Sequence, residues 1–256
     1  MKWGRNITFG MLVVSVVFST MILGRNLWVQ EKEQMKFERL RQKVVEERDE
    51  FQMQYMEAAP KVLKESVNDK RTVLPEYQEL AKENSDFLGW ISIEGTHIDY
   101  PVMQTLGDTE YYLHRNFEKD DSYAGVPFVG SGDMKKEGDI FLYGHNMRNG
   151  TMFADLLNYQ NQDHYEAHPL VQLDTLWEHR TYEIFTVLYA QEDDWVGGSD
   201  ALFHVTDGKN LSEQRAYFLK LKQYGIYETG IIPDGSTSLL YLVTCCYQTN
   251  GGRLKN

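Results

Sequence analysis

Positive charge is scarce in this chain: 26 Lys and Arg stand against 38 Asp and Glu, a formal net charge of −12 over 256 residues. No basic stripe exists to neutralise phosphates, which argues against a nucleic-acid partner. Cysteine is scarcer still. The two present, Cys245 and Cys246, are neighbours, and ordinary disulfide geometry sets Cα atoms about 5.5 Å apart. A disulfide scaffold is therefore excluded, and at least one thiol is expected to stay free. No CxxC pair or zinc-ligand spacing occurs, so no metal and no cofactor is expected. Proline is absent before Pro60, and neither Gly nor Pro occurs between Arg25 and Ala59. That gap predicts a long uninterrupted helix ahead of a turn-rich body. Internal repeats and low-complexity tracts are also missing.

Charge is missing locally as well. Ile7–Leu23 is an uncharged run whose length, at the helical rise of about 1.5 Å per residue, reaches the lower limit for crossing a hydrocarbon core of about 30 Å. Trp3 and Trp28 lie just outside it, and Lys2, Arg5 and Arg25 mark its edges. A cleaved signal peptide is the competing reading, but Gly24-Arg25-Asn26-Leu27-Trp28 offers no small-x-small cleavage site. The expectation is an uncleaved single-pass anchor over residues 1–25, with the body outside the cell membrane. Residues 26–74 read as a helical stalk or linker, with Leu40, Val44, Phe51 and Tyr55 recurring at helical intervals. The stripe is too broken for a coiled coil.

Past Pro75 the texture changes to short apolar or alternating runs separated by Gly, Pro, Asn and Asp. Strands are predicted at Phe87–Ile93, His97–Val102, Gly125–Val129, Asp139–Tyr143, Leu170–Asp174, Thr181–Ala190 and Ser238–Cys245, a spacing that points to a barrel or sandwich. Helices are predicted at Thr151–Tyr159, with Thr151 as cap, and at Leu211–Tyr224, ended by Gly225. Acidic loops at Glu118–Asp121 and Glu192–Asp194 read as solvated charge rather than calcium sites.

The candidate chemistry sits in Leu242-Val243-Thr244-Cys245-Cys246-Tyr247, with Arg253 after it, and in Tyr143-Gly144-His145-Asn146-Met147 about a hundred residues earlier. A cysteine and a histidine far apart in sequence but adjacent in a fold make a thiol nucleophile with a proton-transfer partner. Taken alone, Cys245 would read as a buried structural thiol, and Arg253 is as readily a surface cation.

From Tyr77 to Arg253 the chain resembles the class B sortases, membrane-anchored cysteine transpeptidases of Gram-positive bacteria. The resemblance is carried by Phe87-Leu88-Gly89-Trp90-Ile91, Asp99-Tyr100-Pro101-Val102, Tyr111-Tyr112-Leu113, Tyr143-Gly144-His145-Asn146-Met147, Met152-Phe153 and the Thr244-Cys245 segment, in that order. It implies a mainly β fold with helices over residues 75–256: a closed sortase-type barrel with a helix before the cysteine strand. It also implies Cys245 as nucleophile, His145 as proton carrier and Arg253 as donor to the oxyanion or substrate backbone, with Thr244 and Asn146 touching substrate.

The implied reaction cleaves a C-terminal sorting motif resembling Asn-Pro-x-Thr-x and passes the acyl group to an amine of the cell wall or a pilin. The implied partners are secreted proteins carrying that motif. Cys246 is expected to pack on the opposite face, and His114 is the alternative histidine. Sortases continue through a closing strand beyond this arginine, whereas the sequence stops at Asn256, so the expectation includes a truncated C-terminus or a barrel lacking that strand. Two other readings stay open: a catalytically inactive membrane-anchored module that binds peptides, and a plain cysteine peptidase.

Overall fold

Residues 2–58, 72–136, 138–190, 210–236 and 238–245 are described by the computed structural model, with side chains of the first stretch described over 18–53. Two compact units divide the chain, Met1–Glu46 and Glu47–Asn256. Helix α1 (Lys2–Ala58) runs unbroken through Arg25. Phe18, Met21, Leu23, Leu27 and Trp28 are exposed on it, whereas Phe37, Leu40 and Val44 are buried. Phe51, expected on the apolar stripe, is exposed. The expected transmembrane helix is not shown: among the described residues no helix is long and apolar enough to cross a membrane. The side chains of Ile7–Val17 lie outside the described residues, as do Cys246, Arg253 and the acidic loop Glu192–Asp194.

Among the described residues the body holds seven strands: β1 (Phe87–Ser92), β2 (Asp99–Met103), β3 (Phe128–Ser131), β4 (Ile140–Tyr143), β5 (Leu170–Thr175), β6 (Thr181–Glu183) and β7 (Leu240–Val243). They form one sheet in the order β6-β5-β1-β2-β3-β4-β7. Strand β1 is buried at every position from Phe87 to Ile91, as a central strand covered on both faces must be. Strand β5 alternates, with Val171, Leu173 and Thr175 turned inward.

The seven strands make a nearly closed barrel, not the closed one expected. Among the described residues β6 and β7 are sheet edges without a partner on their outer sides. An apolar groove of about 800 Å³ lies between those edges, lined by Val171, Ile184, Leu188, Leu221, Leu240 and Leu242 among others.

Three local expectations are also corrected. The strand predicted over Thr181–Ala190 ends at Glu183, because its partner β5 begins at Leu170 and the ladder runs out at the Leu170–Glu183 pair. The helix predicted from Thr151 begins at Ala154 and is a 3₁₀ helix (Ala154–Gln160) without a side-chain cap. Met152 holds φ at +56°, a left-handed backbone that no helix can start through, and the Thr151 hydroxyl donates instead to Asn149 Oδ1 at 2.8 Å. The third strand begins at Phe128 rather than Gly125. Gly125 sits at φ +59°, and a Cβ there would stand 2.4 Å from the Leu113 carbonyl oxygen.

Short helices fill the rest: α2 (Gln78–Glu83), α3 (Gln162–Ala167) and α4 (Leu211–Gln223). The last lies within the predicted Leu211–Tyr224. Asn210 accepts from the Glu213 backbone N–H at 3.0 Å, and the chain leaves the helix just before Gly225. Its Tyr217, Phe218 and Leu221 pack with Phe141 of β4 and Leu239 ahead of β7. The Tyr217 and Tyr241 hydroxyls meet at 3.0 Å, and the Phe141 and Tyr241 rings stack at 3.9 Å. The helix thus braces the two strands that lead to the candidate site.

Candidate active site

Strands β4 and β7 run parallel, pairing Ile140 with Leu240 and ending on Tyr143 with Val243. Each chain then leaves the ladder at the same end, so the two residues after each strand are neighbours: Gly144-His145 on one side and Thr244-Cys245 on the other. The register of β7 is set at its other end by the buried Asp139 carboxylate, which accepts from the Leu239 N–H at 2.7 Å.

Side chains continue the pairing after the backbone ladder stops. Gly144 donates its N–H to the Val243 carbonyl at 3.1 Å, and the Thr244 hydroxyl donates to the Gly144 carbonyl at 2.8 Å. Asn146 Nδ2 donates to the Cys245 carbonyl at 2.9 Å. Thr244 and Asn146 therefore each use a donor on the backbone of the facing segment, fixing the histidine turn against the cysteine strand. Cys245 itself is buried, at 5% exposure.

The loop after His145 is equally tied. The His145 carbonyl accepts from Phe153 N at 2.9 Å, and Met152 N donates to the Tyr100 hydroxyl at 3.1 Å. Phe153 is fully buried directly against Gly144, where a Cβ would stand 2.7 Å from two ring carbons. Gly144→Ala should therefore cost about 1–3 kcal/mol, the usual range for overpacking. It should also lower activity by displacing His145, and urea midpoints and turnover of the variant check both.

His145 is half-buried, and its Nε2 lies 2.9 Å from the Leu113 carbonyl oxygen. A carbonyl only accepts, so Nε2 carries the proton and Nδ1 is the basic nitrogen. Burial holds the pKa of His145 below its ordinary value. The Leu113 carbonyl opposes that shift, and nearby His114 adds to it. His114 stacks on His145 with ring centroids 5.5 Å apart.

The other described histidines are engaged elsewhere. His97 pairs with Asp155 at 2.8 Å and His179 with Asp174 at 3.0 Å, and the His164 and His168 rings contact each other. Leu113 escaped sequence reasoning because its contribution is a backbone carbonyl, which no side-chain pattern announces. The one available signal was the place of Tyr111-Tyr112-Leu113 among the motifs.

The chain is similar to known proteins along most of the body. The sortase domain model matches residues 91–255. Sortase B of Listeria monocytogenes is 31% identical over 182 residues, covering 70% of this chain and 71% of that protein. Sortase B of Staphylococcus aureus is 27% identical, covering 68% of each. Among solved structures, sortase B of Clostridium perfringens superposes with a TM-score of 0.61 at 32% identity, covering 68% of this chain and 93% of that one.

The chain belongs to the sortase family, class B. It is a cysteine transpeptidase of that type. In this sortase helix α4 packs on β4 and the start of β7, the two strands that lead to the Gly-His-Asn turn and the Thr-Cys segment.

Proposed function

We propose that Cys245, His145 and Arg253 form the catalytic set, and that the enzyme cuts a C-terminal sorting motif resembling Asn-Pro-x-Thr-x and transfers the acyl group to an amine of the cell wall or a pilin. One observation supports it above others: the parallel pairing of β4 and β7 ends at Tyr143 and Val243, just ahead of His145 and Cys245.

The chemistry follows from the groups. Nδ1 of His145 takes the proton of the Cys245 thiol as sulfur attacks the threonine carbonyl carbon. The C–N bond breaks, the imidazolium returns the proton to the departing amine, and a thioester remains. An incoming amine then attacks the thioester, His145 takes its proton, the C–S bond breaks and the thiol is restored. The Arg253 guanidinium donates hydrogen bonds to the oxyanion, a contribution of about 3 kcal/mol in comparable sites. Asn146 Oδ1 and the Thr244 oxygen remain as acceptors for substrate N–H groups. None of these observations favours an inactive peptide-binding module.

We further propose that residues 1–25 anchor the enzyme in the cell membrane as a single span with the barrel outside, and that residues 26–74 act as a stalk. The uncharged run Ile7–Leu23 and the exposed Phe18, Met21, Leu23, Leu27 and Trp28 support this reading.

Product analysis with and without an added amine tests transfer. The expected result is an amide between the acyl fragment and the amine. Hydrolysed acid alone, in the presence of a good amine acceptor, contradicts it and leaves a peptidase.

A further inference from the structure

We propose that His114 is a positioning residue for His145, gripping its ring face and coupling the two imidazoles electrostatically. The inference rests on the reading of His145 as the proton carrier. Two successive residues of one 3₁₀ turn (Tyr111–His114) hold that ring. The Leu113 carbonyl accepts a hydrogen bond from Nε2–H at 2.9 Å, and the His114 ring lies against the His145 ring at 5.5 Å with only 26° between their planes. The first contact fixes which nitrogen is basic. The second limits rotation of the ring about that hydrogen bond.

The turn is anchored well enough to act as a clamp. Tyr112 is buried, and its hydroxyl donates to Asp86 at 2.9 Å while accepting from Asn84 Nδ2 at 2.9 Å. The Tyr112 carbonyl accepts from Val126 N at 3.2 Å and the His114 carbonyl from Ser122 N at 3.0 Å. Gly125 packs so closely under the turn that a Cβ would collide with the carbonyls of both Tyr112 and Leu113. His114 itself is exposed, so its presence on the turn is not required by burial.

The charged and titratable groups around the pair are few among the described residues. Arg115 lies over the Tyr111 ring at 4.8 Å and bonds Asp121 at 3.2 Å. From β4 comes Tyr143, on which Glu110 acts, and after β7 comes Cys245. Of these groups His114 acts directly on His145, because a positive charge on one ring disfavours a second on the ring stacked against it. Its effect is to keep His145 neutral, with Nδ1 ready to accept the thiol proton, further into mildly acidic conditions.

The test compares the full chain with His114→Phe, which keeps a stacking ring without charge, and His114→Arg, which keeps a planar group with permanent charge. The first readout is the titration of His145 by NMR of ring-labelled histidine, which needs no substrate. The His145 midpoint should move upward in His114→Phe and should not in His114→Arg. The acid limb of kcat/KM for a sorting-motif peptide should move with it, while KM stays put. High salt should shrink the difference, because His114 is solvent-exposed.

An unchanged His145 midpoint in both variants overturns the proposal. So does a uniform loss of activity at every pH with the midpoint unmoved, which is what a merely structural residue would give. If the wild type fails to cleave any sorting peptide, the catalytic reading falls, yet the NMR titration still decides whether the two imidazoles are coupled.

Discussion

Replacing Cys245 with Ala should abolish both peptide cleavage and covalent capture, lowering kcat/KM by about 10⁴-fold or more, as loss of a nucleophile does in other covalent catalysts. The size of the effect follows from the reaction being stepwise through sulfur: without it there is no thioester, and water or an amine must attack an unactivated amide. The fold should survive the change. Cys245 is buried, but its backbone carbonyl, rather than its sulfur, receives the Asn146 side chain. The same variant should therefore unfold within about 1–2 kcal/mol of the parent and still bind the peptide. Cys246→Ala provides the contrast and should retain cleavage. Cleavage assays and urea melts of the two variants check the pair.

His145→Gln should lower kcat by about 10²–10⁴-fold, the usual worth of a positioned acid–base group. It should also remove the acid limb of the kcat/KM profile. The sign of the pH dependence comes from burial, which depresses the pKa of His145 in the folded chain, with His114 assisting. A histidine depressed by folding is paired with an unfolded state that binds more protons. Its contribution to stability is complete above the ordinary value of about 6.5 and is lost as the pH falls through the lowered folded value. Acidification across that window should lower the urea midpoint of the wild type. His145→Gln should flatten that part of the dependence. An equal acid loss in both proteins would mean that other groups, such as the similarly depressed His164, account for all of it.

The strands β1, β2, β4, β5 and β7 could be read from sequence because their apolar runs are bounded by Gly, Pro, Asn and Asp, and in all but the half-buried β7 the runs are largely buried or alternate in burial. The helix α4 was legible from its apolar spacing and from Gly225 at its end, while the Asn210 cap on the Glu213 N–H emerged only in the structure. What escaped was set by contacts rather than by pattern. The left-handed Met152 delays the Ala154–Gln160 helix, the length of β5 limits β6, and α3 is too short to show a period. Whether the sheet closes was likewise invisible to local periodicity.

The candidate site divides in the same way. Cys245 and His145 are singled out by motif resemblance, since nothing in the residues themselves announces that positions a hundred apart adjoin. The structure supplies the physical reason in the shared end of β4 and β7. The donors of Thr244 and Asn146 turn out to serve the backbone between these segments. The grip of the Tyr111–His114 turn on His145 has no sequence signature beyond its place among the motifs.

Intact-mass spectrometry of the full chain, incubated with a sorting-motif peptide and then digested and mapped, decides whether the acyl group passes through Cys245. An acyl adduct is expected on the Cys245 fragment, disappearing when an amine is added, with the matching amide appearing in solution. Turnover of the peptide that persists in Cys245→Ala, or an adduct mapped to any other residue, would contradict it.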